Sequence, residues 1–84
     1  MTYIVKEIAT ATELNPSFPT GEEHIYYMGK GDAFATDIRH FTEYGFCEGW
    51  KHERFAKDYI KKEQAYNKEY GNGMWESTYE IMMI

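Results

Sequence analysis

The residues most able to do chemistry crowd into one stretch, RHFTEYGFCEGWKHERF at 39–55, where His40, Cys47 and His52 stand among carboxylates. Three chemistries suit such residue types. A tetrahedral zinc site would take His40, Cys47 and His52, completed by Glu43 or Glu48. Structural zinc usually grows from a close pair of ligands, and the spacing H-x6-C-x4-H contains none. A thiolate nucleophile would be Cys47, acidified by the helix start that follows, with His40 or His52 as its base. The stretch carries no cysteine-enzyme signature and no Asn or Asp placed to orient that base. Acid–base work by paired carboxylates is uninformative here, since 14 acidic residues in 84 must fall near one another. Gly29-Lys30-Gly31-Asp32 resembles a phosphate loop in letters only. It lacks the Walker spacing and the following Ser or Thr, and it reads as a turn. We therefore expect no catalytic set, no metal and no cofactor. The stretch is expected to be a joint, with Gly45 and Gly49 turning the chain and Phe46 and Trp50 capping the core. Cys47 would then be a small filler, and His40 and His52 polar surface residues.

The elements that such a joint must connect are legible in the hydrophobic pattern. Tyr3–Ala9 is short and β-branched, a strand. Residues 10–21 hold Pro16, Pro19 and Gly21, which deny helix and interior strand and make a long loop. Phe18, between the prolines, is expected to fold back over the core edge, or else to project as a hook for a partner. Glu22–Met28 reads as a second strand. Residues 33–46 fit a short helix through Phe34, Ile38 and Phe41, or an added strand through 40–44; the helix is favoured. Lys51–Tyr70 is the clearest element, a helix with Phe55, Ala56, Tyr59, Ile60, Tyr66 and Tyr70 on one stripe. Met74–Ile84 alternates Trp75, Tyr79, Ile81 and Met83 with Glu76, Thr78, Glu80 and Met82, a half-buried strand. A strand running to the last residue is expected to pin the C-terminus and close a complete chain. The expected fold is one compact α+β domain over residues 1–84. About three antiparallel strands pack on one long helix, with a shorter helix or extra strand before it.

Composition narrows the function classes. Hydrophobic residues at 43% and aromatics at 18% belong to a folded domain, not a disordered tail. A lone cysteine excludes an internal disulfide, and MTYIVKEIAT lacks the basic start and apolar run of a signal peptide. No apolar run approaches the roughly 18 residues of a membrane span. These features predict a cytoplasmic protein without a membrane role. The net charge of −5 is unevenly placed: residues 51–70 carry a net +2 and the remainder −7. That balance disfavours direct nucleic-acid binding and favours approach to a basic protein surface.

The expected partner surface is the sheet face left over by a single helix. It would show Glu76, Thr78 and Glu80, joined by His24 and Tyr26 if Ile25 and Tyr27 point inward, with Phe18 near its edge. An exposed strand edge would also allow a homodimer. In size, acidity, single cysteine and the closing WESTYEIMMI strand, the chain resembles small acidic accessory proteins of phages and mobile elements, including anti-CRISPR and other anti-defence inhibitors. That resemblance implies a non-catalytic inhibitor or regulator acting in the host cytoplasm, on a basic protein such as a nucleic-acid-binding host nuclease. The alternative is a nucleotide- or metabolite-binding protein with a pocket lined by Tyr26, Trp50, Trp75 and Tyr79. A metal- or thiol-dependent enzyme is the third reading.

Overall fold

A computed structural model describes all 84 residues. Four strands, β1 (Tyr3–Ala11), β2 (Glu23–Gly29), β3 (Ala33–Ala35) and β4 (Trp75–Met83), form one antiparallel sheet in the order β3-β2-β1-β4. The helices are a single turn, α1 (Arg39–Thr42), and the 18-residue α2 (Glu53–Tyr70). The expected α+β architecture is therefore present with one more strand than expected. Segment 33–46 supplies both of its alternatives, a three-residue strand and then a short helix.

The registers sort side chains onto two faces. Val5 lies between Met28 and Ile81, and Glu7 between Tyr26 and Tyr79. These residues look toward α2, where Val5, Met28 and Ala56 form the buried centre. Ala56 is fully buried, and its single methyl lets the helix approach the sheet closely. Tyr59 and Ile60 pack beside it. The expected apolar stripe does not continue. Phe55, Tyr66 and Tyr70 are 42, 62 and 66% exposed. Beyond Tyr79 the sheet offers Ala9, Ala11 and Ser77, too short to reach the helix. The contact there becomes polar, with the Asn67 amide donating to the Tyr79 hydroxyl at 2.8 Å.

The opposite face is covered at one end only, by the joint itself. Tyr3 and Trp50 exchange backbone hydrogen bonds of 2.8 Å, and the Lys30 N–H donates to the Glu48 carbonyl at 2.8 Å. Phe41 lies directly over Gly29. Ile4, on this face, is 0% exposed, and Ala35 only 6%. Phe46, expected to cap the core, is instead 77% exposed and packs with His40 and Tyr44 outside it. The chain reverses at Gly45, whose φ of 69° few other residues adopt, and the inward ring is Phe41. Asp37 starts α1 by accepting from the Arg39 N–H at 3.0 Å and pairing with its guanidinium at 2.6 Å. That hydrogen bonding holds the Asp37 carboxyl at about 2, below the ordinary carboxylate range.

The long loop is tied down locally. Asn15 Oδ1 accepts from the N–H groups of Ser17 and Phe18, both at 3.0 Å, and its amide donates to Met74 O at 3.3 Å. Thr12 Oγ1 donates to the Gly73 carbonyl. The loop thus fastens the end of β1 to the start of β4.

Gly29 is the tightest point of this arrangement, because a Cβ there would collide with the Glu48 carbonyl and the Phe41 ring. Gly29→Ala is expected to destabilise the fold by about 1–3 kcal/mol, as overpacking does. Urea unfolding checks this, and Phe41→Ala in the Gly29→Ala background, which removes one of the two groups the new Cβ meets, is expected to cost less than the sum of the two single changes.

Candidate functional site

The uncovered part of the open face is a grid set by the strand registers. Lys6 lies between Tyr27 and Glu80, Ile8 between Ile25 and Thr78, and Thr10 between Glu23 and Glu76. Neighbours across the strands are about 4.8 Å apart and along them about 6.7 Å. Ile8 and Ile25 form an apolar centre, with Ile25 39% exposed. Glu23, Glu76 and Glu80 stand round it against a single lysine. An apolar centre with a charged, hydrated rim is the usual anatomy of a protein-binding patch.

Glu76, Thr78 and Glu80 therefore share one surface, as expected. His24 and Tyr26 do not join them, because β2 has the opposite phase. Its Ile25 and Tyr27 face outward, while His24 and Tyr26 face the α2 side, where Tyr26 packs against the core. The residues missed by the sequence reading are Glu23, Ile25 and Tyr27, together with Lys6, Ile8 and Thr10 of β1. The one available signal was the register partner of Val5. Met28 is in phase with Tyr26 and His24, so burying Met28 beside Val5 turns Ile25 outward.

On the α2 side a second feature appears. Phe18 folds back, its ring centroid 4.7 Å from His24 and 5.4 Å from Trp75, while His24 and Trp75 approach to 4.9 Å. His24 and Trp75 belong to strands separated by β1, whose backbones are about 9.6 Å apart. Their rings meet because β1 presents only Ala9 and Ala11 between them. Tyr26 extends this strip to Phe34, 5.1 Å away and 56% exposed. His24 Nε2 donates to Glu22 at 2.8 Å, and the Tyr26 hydroxyl lies 3.4 Å from His24 Nδ1. This arrangement orients the imidazole, but no surface hollow opens on the Tyr26 hydroxyl.

The residues picked out for chemistry lie apart. His40 packs with Tyr44 and Phe46, His52 with Phe55, and Cys47 donates its N–H to the His40 carbonyl at 3.1 Å. No three His, Cys, Asp or Glu side chains are grouped so as to hold a metal ion. Of Tyr26, Trp50, Trp75 and Tyr79, no single hollow is lined by more than one. No helix is long and apolar enough to cross a membrane. No family model, curated protein or solved structure matches the chain. Its functional reading therefore rests on geometry.

Between helix and sheet, Glu7 and Glu63 lie close to Tyr59 and Tyr79. Burial, reinforced by these carboxylates, pushes the Tyr79 phenol up to about 12 and raises Tyr59 strongly as well. Both rings stay neutral in the folded chain at pH values where an unfolded chain ionises them. The stability they contribute is thus complete below their ordinary value of 10 and is lost as pH climbs toward the folded values. Tyrosinate absorbance is expected to show these two rings ionising last among the eight tyrosines. Urea midpoints are expected to fall from about pH 10 upward, and Tyr79→Phe is expected to flatten that fall.

Proposed function

We propose that the chain is a non-catalytic protein-binding module, an inhibitor or regulator that docks the open face of its sheet on a basic, partly apolar surface of another protein. One observation carries this reading: exposed Ile25 and half-buried Ile8 lie side by side at the centre of a face whose rim holds Glu23, Glu76 and Glu80 against Lys6 alone. Apolar burial supplies the adhesion, and the carboxylates supply selection and a faster encounter. Stacking two such faces on each other would oppose like charges, so the complementary occupant is a different protein.

A phage or mobile-element origin, with a nucleic-acid-binding host protein as target, suits this chemistry. Such targets carry the basic grooves that an acidic face can occupy. The mimicry would be local to the open face, because α2 turns Lys57, Lys61 and Lys68 outward on the other side of the molecule.

The test starts from proteins that bind the immobilised chain in host extract at low salt and leave it at high salt. With one such partner purified, Glu76→Lys with Glu80→Lys is expected to weaken binding at least about tenfold, near 1.4 kcal/mol. Lys61→Glu with Lys68→Glu, on the helix, is expected to leave it unchanged. Equal affinity of the wild type and the Glu76/Glu80 variant would remove the open face from the interaction.

A further inference from the structure

The free edge of β4 is built to accept another strand. Thr2 and Ile84 exchange backbone hydrogen bonds at 2.9 and 2.8 Å, and the Thr12 N–H donates to Met74 O at 3.0 Å. In an antiparallel ladder bonded pairs alternate with unbonded ones. The even-numbered residues of β4 are therefore bonded to β1. Trp75, Ser77, Tyr79, Ile81 and Met83 aim their N–H and C=O groups outward. No turn, loop or side-chain hydrogen bond reaches those groups. The strand runs nine residues in unbroken register with β1. It holds no proline, lysine, arginine or bulge, and the only edge-protecting charges it carries are Glu76 and Glu80, both on the open face.

We infer that two copies of this chain pair antiparallel through β4, about a two-fold axis at Tyr79, into one eight-stranded sheet. A two-fold axis perpendicular to the sheet keeps like faces together, so only registers that pair residues of equal parity are allowed. Centring on Thr78 would set Glu76 opposite Glu80 of the second copy, and centring on Glu80 would set that glutamate against itself. Like charges in direct opposition disfavour both. Centring on Tyr79 sets Glu76 against Met82 and Glu80 against Thr78. It also uses the whole strand, pairing Trp75 with Met83 and Ser77 with Ile81, so that every outward backbone group is bonded. Met83, 58% exposed in the single chain, then gains an indole opposite it.

The helices allow this junction. Each α2 lies against β1 and β4, and two helices so placed across the joined edges sit about 10 Å apart, an ordinary packing distance. The two open faces fall on the same side and become continuous. Because each copy carries a net −5, added salt screens their repulsion and strengthens the pair. Binding of a basic partner responds in the opposite sense.

Sedimentation of the full chain over a concentration series, at low and high salt, tests the pairing. A monomer–dimer equilibrium tightened by salt is expected, and a chain that stays monomeric up to millimolar protein overturns the inference. Ser77→Pro removes an N–H that serves only the edge, so it leaves the β1–β4 ladder intact and is expected to weaken the dimer at least about tenfold. A folded Ser77→Pro chain that dimerises as well as wild type overturns the edge. The register is read by cysteines in a Cys47→Ser background. T78C and E80C chains, mixed and air-oxidised, are expected to crosslink to each other and not to themselves. Self-crosslinking of T78C, or no crosslink at all, overturns the axis at Tyr79 even if Ser77→Pro fails to fold. None of these readouts needs the partner protein.

Discussion

Strand β1 is hydrogen-bonded along both of its edges, and the alternation of its side chains therefore decides which side of the molecule every other element occupies. Its odd residues, Val5 above all, draw in Met28, Ile81 and α2. Its even residues, Ile4, Lys6, Ile8 and Thr10, are left for whatever chain remains. What remains is the joint, which reaches only as far as Ile4. A helix about 10 Å wide covers roughly two strands, so one long helix cannot clothe both faces of a four-stranded sheet. The bare grid around Ile8 follows from a shortage of chain as much as from any selected shape. In a domain this small, an uncovered isoleucine pair forgoes burial that a marginally stable fold could use.

Much of this was legible in the sequence where polarity and period agree. β4 shows why: Trp75, Tyr79 and Ile81 alternate with Glu76, Thr78 and Glu80, so period and face follow at once. The lysine-backed α2 was equally plain, with its N-terminus only two residues later than expected. β2 was not, because Ile25, Tyr26, Tyr27 and Met28 run consecutively and either phase buries two large residues. Its phase was settled by contacts distant in sequence, Met28 beside Val5 and Gly29 beneath Phe41, which no local pattern contains. For the same reason His24 and Tyr26 were assigned to the wrong face. Segment 33–46 failed differently. A three-residue strand and a one-turn helix are each too short to display a period, and both occur. Phe41 and Phe46 are chemically interchangeable as plugs, and the turn at Gly45 chose between them.

The aromatic excess looked like material for a binding surface, yet part of it has a structural task. Phe18, His24 and Trp75 close over Ala9 and Ala11, filling space that short side chains leave beyond the reach of α2. This explains how a loop with two prolines stays against the sheet without a helix above it. The open-face grid, by contrast, is poor in rings, and its charge is almost all negative. The two sides thus differ in kind: rings pack together on one, and on the other carboxylates surround Ile25, which is exposed, and Ile8, which is half-buried.

The edge and the open face are not independent features, because the same two residues govern both. Glu76 and Glu80 give the face its sign, and they also disfavour the edge registers centred one residue to either side of Tyr79. Pairing about Tyr79 would bring four glutamates, two from each copy, close to the axis on the open side while the isoleucine centres lie one strand further out on either flank. Their mutual repulsion weakens the pair in isolation. A basic partner seated over the axis would neutralise all four at once and so favour the paired state over the single chain. Partner binding and self-association would then reinforce each other through charge alone, with no change in the fold of either copy.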